Sequence, residues 1–133
     1  MTGKKIVKQD ALIKAAQEAR KHVYAPFSKY RVGAAVLTST GEIFSGCNVE
    51  NSSYRLTNCA EVTALTKAVS EGYSKFVKLA VVTDDGGYPC GACRQVIWEL
   101  CGDIEVLVVD KKGRVKKERS AKLLPHAFKL NVT

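Results

Sequence analysis

At 133 residues, with 46% hydrophobic and 26% charged residues, the chain suits one globular domain and excludes two ordinary domains or a fibrous or disordered chain. Its formal net charge of +8 would suit a nucleic-acid partner. Much of that charge lies in 4–8 and 111–122, however, without the interleaved aromatic residues that stack on bases, so we expect a solvated basic face and no nucleic-acid partner.

The first predicted elements are a helix and a β-hairpin. Asp10 is a suitable helix cap, and Pro26 ends the helical pattern that follows it. The apolar positions at helical spacing are Leu12, Ala16, Ala19 and Val23. Apolar runs at 32–38 and 43–49, joined by the turn residues 39–41, then predict two antiparallel strands.

A second helix and a strand come next. The helical pattern begins at Cys59, and Gly72 stands where such a helix would end. The positions predicted for its apolar face are Val62, Leu65, Thr66 and Val69. The β-rich run 77–83 then predicts a buried strand.

A third helix and two strands complete the pattern. Pro89 is expected in the first helical turn and Gly102 behind the last one, followed by a strand at 104–110 and an edge strand at 114–119. The apolar helix face consists of Cys93, Val96, Ile97 and Leu100. This alternation predicts an α/β fold, a three-layer α/β/α sandwich with a mixed, roughly five-stranded sheet, as a single domain over 1–133.

Five cysteines in one chain argue against a complete disulfide framework and favour metal binding or free thiols. The basic, polar residues 1–10 lack the apolar core of an export signal, and no apolar stretch has the length of a membrane span. We therefore expect a cytoplasmic protein with no membrane partner. Cys47 and Cys101 are interpreted as small buried hydrophobes.

Cys90 and Cys93 are three residues apart at a predicted helix start, so both side chains face one side and can reach one ion. Such a pair alone is ambiguous, because thioredoxin-like redox pairs have the same spacing. Cys90 does not follow the first strand of a βαβ pattern, however, which disfavours the redox interpretation.

A third cysteine, Cys59, also stands at a helix start, two residues before Glu61. If the two helices leave adjacent strands, their N-termini lie side by side, and the helix dipoles favour ionised sulfur there. Three thiolates leave the fourth position of a zinc ion open, as in catalytic sites. The alternative, a closed four-cysteine site using Cys47 or Cys101, lacks the expected close ligand spacing.

These motifs resemble the small, homotetrameric, zinc-dependent cytidine deaminases. The resemblance runs from Tyr24 to Phe128 and is carried by Ala25–Ser28, Val32–Ala35, Gly46–Asn51, Asn58–Glu61, Pro89–Gln95 and Leu123–Pro125. A first ligand of Cys instead of His is similar to the pyrimidine nucleoside branch, not the nucleic-acid-editing branch. The implied fold is cytidine deaminase-like.

The resemblance implies one Zn²⁺ per subunit and hydrolysis of cytidine and 2′-deoxycytidine to uridine and 2′-deoxyuridine with release of ammonia, a step of pyrimidine salvage. In that chemistry zinc activates water for attack at C4, and a carboxylate outside the ligand set carries the proton. Glu61 is the expected carboxylate. Its alternative role is that of a helix-start residue that merely complements the dipole.

The resemblance also implies a set of substrate contacts. Asn48 and Glu50 would bind the ribose 3′-hydroxyl, the backbone of Ala60 would hold the base, and Tyr30 would stack near it. Tyr54 and Phe128 are assigned to the same set, with Phe128 reaching the site of a neighbouring subunit in a homotetramer. Without the resemblance, all of these are compatible with ordinary strand-end, strand or core positions.

The chain departs from the family pattern at Val62, Tyr30 and Arg55, where Arg, Phe and a small residue are usual. An Arg after the catalytic Glu would offset the charge of three thiolates. In its absence Arg94 is the expected compensating cation close to the ligands, although a surface helix Arg is the alternative.

Two rival functions remain at this point. A blasticidin S-type or broad-specificity N4-substituted cytidine deaminase would share the fold and the three cysteines, although the run 48–51 favours a plain nucleoside. A zinc-stabilised RNA-binding module would instead explain the positive charge.

Overall fold

The computed structural model describes the backbone of residues 2–132 and the side chains of residues 8–132. In chain order the elements are α1 (Thr2–Arg20), β1 (Gly33–Thr38), β2 (Ile43–Cys47), a 3₁₀ turn (Tyr54–Leu56), α2 (Ala60–Ser70), β3 (Phe76–Val82), α3 (Gly91–Cys101), β4 (Glu105–Val109), β5 (Val115–Arg119) and α4 (Ser120–Leu123). Over these residues the strands form one sheet in the order β2-β1-β3-β4-β5, parallel between β3 and β4 and antiparallel elsewhere. The mixed five-stranded sheet is confirmed.

Both faces of the sheet are covered by helices, so the predicted three layers are also confirmed. Because side chains alternate along a strand, Ala34 and Val36 of β1 face the cluster formed with α2 and α3, while Ala35 and Leu37 face α1. Every residue of β1 is buried. This two-sided burial explains why the strand is a continuous apolar run rather than an alternating one.

Glycine allows both helix layers to approach the sheet closely. A Cβ added at Gly33 would lie 2.0 Å from the carbonyl oxygen of Ala16 in α1. On the other face, a Cβ added at Gly46 would lie 2.7 Å from the backbone nitrogen of Ala64 in α2. A larger residue at either position would therefore force a helix away from the sheet.

That close approach corrects the predicted apolar face of α2. The residues buried against the sheet are Ala60, Glu61, Ala64, Leu65 and Ala68, whereas Thr66 and Val69 are exposed and Val62 is only partly buried. Small alanine side chains fit the short distance to β2, and the β-branched residues lie on the outer side. The predicted face of α3 is confirmed, with Cys93 and Ile97 fully buried.

Two helix starts differ from the prediction. Helix α1 begins at Thr2 and ends at Arg20, so Asp10 is an exposed residue inside the helix and Val23 lies beyond it. The Lys and Gln residues before Asp10 are good helix formers, and they extend the helix past the expected cap. Helix α3 begins at Gly91, because Cys90 is its N-cap and Pro89 precedes the cap.

The edge strand β5 is found as expected, and most of its residues are exposed. Its antiparallel register with β4 pairs Glu105 with Arg119 and Val109 with Val115. Across residues 2–132 no helix combines the length and the apolar character that crossing a membrane would need.

Candidate metal centre and substrate pocket

Two helix N-termini meet at one end of the sheet. Cys59 is the N-cap of α2 and Cys90 the N-cap of α3. Their helices follow β2 and β3, which are separated by β1, so the expectation of adjacent strands is wrong. The N-termini still meet, because the segment after β2 folds back through the bridges Tyr24–Val49 and Val49–Asn58 before α2 begins.

The sulfur atoms of Cys59, Cys90 and Cys93 lie within 4.8 Å of one another. The Sγ of Cys90 accepts a hydrogen bond from the backbone N–H of Cys93 at 3.4 Å, as an N-cap side chain does. Thus the three-residue spacing and the helix cap together aim both sulfur atoms of α3 towards Cys59.

The electrostatics of the cluster favour a metal ion. A hydrogen bond from the Cys93 thiol lowers the pKa of Cys59 to about 6, and the same bond raises the pKa of Cys93. One thiolate is therefore present at neutral pH before any metal arrives. Soft sulfur donors that converge in this way fit Zn²⁺.

The other two cysteines stand apart from this cluster. Within residues 8–132, the group of side chains able to hold a metal consists of Cys59, Cys90 and Cys93 alone. Cys47 and Cys101 are each partly buried, not fully buried as predicted. Burial raises the pKa of Cys101 to about 12, which keeps it a neutral thiol.

Glu61 is in the first turn of α2, two residues after Cys59, and only 4% of its surface is exposed. Burial, together with the negative charge of Cys59, raises the pKa of Glu61 to about 7, although hydrogen bonds from its own backbone N–H and from the Cys93 thiol oppose the shift. A carboxyl group with such a pKa both accepts and donates a proton near neutral pH. This is the property that a proton carrier requires.

A cavity of about 300 Å³ opens beside the sulfur atoms and Glu61. Its lining residues are Ser28, Tyr30, Val32, Asn48, Glu50, Thr57, Cys59, Ala60, Glu61, Val81, Thr83, Gly87, Tyr88, Pro89, Cys90 and Cys93. Four of the six predicted substrate contacts, Tyr30, Asn48, Glu50 and Ala60, are among them. The volume suits a small molecule.

Asn48 holds the start of β1 in place from within the pocket. Its Oδ1 accepts a hydrogen bond from the Val32 N–H at 2.9 Å, and its Nδ2 donates to the Tyr30 carbonyl at 2.8 Å. The side chain is buried. The second N–H of the amide remains for another partner. Asn48 can therefore hold the backbone and still donate a hydrogen bond into the pocket.

Glu50 is an acceptor fixed by the loop before β1. Its Oε1 accepts from the backbone N–H groups of Phe27 at 3.0 Å and Ser28 at 3.2 Å, and its Oε2 accepts from the Ser28 hydroxyl. The hydrogen bond from the Ser28 hydroxyl is the main reason that the pKa of Glu50 lies below its usual value, and the two backbone N–H groups lower it further. Glu50 therefore presents an ionised carboxylate to the pocket.

Tyr54 and Phe128 lie outside this cavity. Tyr54, on the 3₁₀ turn, is 73% exposed and packs edge-on against Phe27 with ring centroids 5.8 Å apart. It lines an adjoining cavity that also contacts Ser28 and Glu50. Phe128 is 67% exposed, and its carbonyl oxygen accepts a hydrogen bond from Gln95 Nε2 at 2.8 Å.

Arg94 contacts the ligand loop and the tail, not the sulfur atoms. Its Nε donates to the Pro89 carbonyl at 2.7 Å, and its Nη1 donates to the Leu123 carbonyl at 2.9 Å. Since Pro89 precedes the candidate ligand Cys90, these bonds fix the backbone at the start of α3. Any compensation of the thiolate charge by Arg94 acts through space.

Several lining residues were missed by the sequence analysis. Ser28 and Pro89 lie within motifs that it quoted, but Thr57, Thr83 and Tyr88 carried no motif of their own. Tyr88 also contacts Lys116 of β5, whose Nζ lies 4.6 Å from the centre of the tyrosine ring. That contact joins residues 28 positions apart, so no local pattern indicates it.

Comparison with known proteins places these features in context. Residues 6–110 match the family described as the cytidine and deoxycytidylate deaminase zinc-binding region. A cytidine deaminase from Sporosarcina psychrophila is 52% identical over 122 residues, which cover 90% of each chain. The crystal structure of cytidine deaminase from Burkholderia pseudomallei matches with a TM-score of 0.85 and 50% identity, covering 90% of this chain and 98% of that one. A blasticidin-S deaminase from Bacillus cereus is 34% identical over 130 residues, covering 90% of this chain and 91% of that protein.

Proposed function

Because the chain belongs to the cytidine and deoxycytidylate deaminase family with its zinc-binding region, we propose that it is a zinc-dependent cytidine deaminase that acts on free cytidine and 2′-deoxycytidine. Water replaces the 4-amino group, which leaves as ammonia, and uridine or 2′-deoxyuridine is the product. The observation that carries this proposal is the cluster of three cysteine sulfur atoms beside buried Glu61 in one small cavity. This chemistry suits a role in pyrimidine salvage.

In this proposal Cys59, Cys90 and Cys93 hold Zn²⁺, which when bound acts as a Lewis acid that activates water. Glu61 takes a proton from the attacking water and delivers protons to N3 and to the departing amine. Its raised pKa supports both directions of transfer near neutral pH. Burial of Glu61 leaves it little direct contact with bulk solvent.

The charge of the pocket favours a nucleoside over a nucleoside 5′-phosphate. The ionisable groups that line it are Glu50, Glu61, two tyrosines and the cysteine cluster, and the lining residues include no Lys, Arg or His. A phosphate dianion placed there would meet two carboxylates, while Lys29, the cation that acts on Glu50, lies outside the lining. The ribose hydroxyls of a neutral nucleoside instead suit the acceptor Glu50 and the free N–H of Asn48.

The direct test is loss of cytosine absorbance on mixing the zinc-loaded protein with cytidine, 2′-deoxycytidine or deoxycytidylate. We expect turnover of both nucleosides and at least a hundredfold lower kcat/KM for the nucleotide. An inactive zinc-loaded protein, or equal activity on the nucleotide, would contradict the proposal. Binding of RNA without deamination would support the zinc-stabilised RNA-binding module instead.

Blasticidin S-type deamination is the second candidate, supported by the relative from Bacillus cereus. That relative is less similar than the cytidine deaminase from Sporosarcina psychrophila, at 34% against 52% identity with 90% of this chain covered in each case. A larger kcat/KM for blasticidin S, or for an N4-substituted cytidine, than for cytidine would favour this candidate.

We further infer that the chain acts as one domain, since both helix layers and the site share a single sheet. A homotetramer is proposed because Phe128, Leu130 and Val132 form an exposed apolar tail, and Phe128 would then reach a neighbouring subunit's site. A fully active monomer in analytical ultracentrifugation would refute this. Five free cysteines suit the reducing cytoplasm.

A further inference from the structure

The loop that leads to the ligand Cys90 is attached to the chain before β1 at two consecutive carboxylates. Asp84 forms an ion pair with Arg20 at the end of α1. Asp85 accepts a hydrogen bond at Oδ1 from the hydroxyl of Tyr30, at 3.0 Å. The second contact joins residues 55 positions apart and lies at the wall of the pocket, since Tyr30 lines the cavity.

Asp85 also organises its own loop. The same Oδ1 accepts from the Thr83 hydroxyl at 3.2 Å and from the Gly87 N–H at 3.1 Å. Thr83 and Gly87 both line the pocket. The hydrogen bond from Tyr30 is the main reason that the pKa of Asp85 lies below its usual value, and the bonds from Gly87 and Thr83 act in the same direction. The Asp85 carboxylate therefore remains ionised at neutral pH.

The other end of Tyr30 is fixed by the residues assigned to ribose recognition. Its N–H donates to the Ser28 hydroxyl at 3.0 Å, and Ser28 in turn binds Glu50. Its carbonyl accepts from Asn48. The hydroxyl of Tyr30 therefore connects the ribose side of the pocket to the loop that carries Cys90.

We propose that Asp85 is a positioning residue for the deamination proposed above, acting through the Tyr30 hydroxyl to fix the pocket wall in the form that binds nucleoside. The inference rests on that proposed function. When the pocket wall is already held in the form that binds nucleoside, binding costs less conformational entropy. The Tyr30–Asp85 hydrogen bond therefore lowers KM. The bond contacts none of the reacting groups directly, since Glu61 and Cys93 stand in α2 and α3 and Cys59 and Cys90 cap those helices, so kcat changes little.

The test compares Tyr30→Phe, which keeps the ring and removes only the hydroxyl, with Asp85→Ala and Asp85→Asn. We expect Tyr30→Phe to raise KM for cytidine about three- to tenfold, the effect of one hydrogen bond, with kcat within about twofold of wild type. Asp85→Asn keeps the Oδ1 acceptor and should restore most of the affinity lost in Asp85→Ala. The double variant Tyr30→Phe/Asp85→Ala should have no higher KM than Asp85→Ala alone.

Tyr73→Phe is the matched control, because Tyr73 packs against Phe44 away from the pocket and its variant should keep the wild-type KM. Zinc content and the thermal midpoint are measured for each variant. The inference would be overturned if Tyr30→Phe left KM unchanged or lost zinc. It would also be overturned if the increases in KM of the two single variants multiplied in the double variant. A wild-type protein inactive on cytidine would instead refute the proposed function itself, and this inference with it.

Discussion

The two halves of the site are built in different ways. The proposed reacting half, with Glu61 and three cysteines, stands on the first turns of α2 and α3, where each motif spans no more than four residues. The proposed recognition half, with Tyr30, Asn48 and Glu50, stands on loops that are fixed by hydrogen bonds between residues 16 to 55 positions apart.

This difference has consequences for both chemistry and variation. Helix N-termini supply a rigid frame and a positive dipole end, which suit thiolate ligands and a proton carrier that must stay in place. Loops joined by single hydrogen bonds allow graded adjustment of the pocket. Substitutions in the reacting half should therefore abolish activity, and those in the recognition half should change affinity by degrees.

The largest effect is expected at a zinc ligand. Cys90→Ser removes one of three sulfur donors, so zinc content should fall from about one per chain to near zero and activity should disappear with it. Elemental analysis of the purified variant measures this. Cys101→Ser is the control and should retain zinc, because Cys101 lies outside the cluster. Full zinc occupancy in Cys90→Ser would show that the ligand set is wrong.

The next effect concerns the proton carrier. Glu61→Gln keeps the size and the burial of the side chain but cannot exchange a proton, so kcat should fall by about 10²–10⁴-fold while zinc content is unchanged. Steady-state kinetics and elemental analysis on the same preparation separate the two properties. A variant that kept most of its turnover would assign proton transfer to another group.

The same division explains how much of the site the sequence could predict. The three clustered cysteines and Glu61 could be chosen as candidates because their spacing at helix starts is local and their chemistry restricts the choice of residue. The Tyr30–Asp85 bond and the Lys116–Tyr88 contact were not found, because they depend on how distant loops meet in space. The roles of Asn48 and Glu50 came from family resemblance, which no periodicity could have supplied.

The fold shows a similar limit. Apolar runs predicted β1 to β4, since buried strands have a strong local pattern, whereas the exposed edge strand β5 was predicted from its charged residues after a turn. The face of α2 was predicted incorrectly because alanine is a weak hydrophobic signal, and its burial depends on the close approach at Gly46. The start of α1 was missed because Asp10 resembles a cap although the helix continues through it. In each case tertiary contact or context outweighed local preference.

The smallest of these effects is expected at Arg94, which connects the loop before Cys90 to α4. Its two hydrogen bonds to the Pro89 and Leu123 carbonyls predict a role as a tether for the ligand loop. Charge compensation for three thiolates, in place of the Arg that is absent at Val62, is the alternative role. The two are separable, since Lys keeps the charge but not the planar pair of donors.

Under the tether role, Arg94→Ala and Arg94→Lys should lower the free energy of unfolding by similar amounts, about 1.5–3 kcal/mol at most because Arg94 is only partly buried. Both should also weaken zinc binding severalfold, measured by competition with a chelator, because Cys90 follows the loosened Pro89 carbonyl. Val62→Arg adds a cation but no tether, so its effect should be additive with that of Arg94→Ala. If Arg94→Lys matched the wild type, or Val62→Arg rescued Arg94→Ala, charge compensation would be the correct role, and the reacting half would not depend on the long-range bond from Arg94 to Leu123.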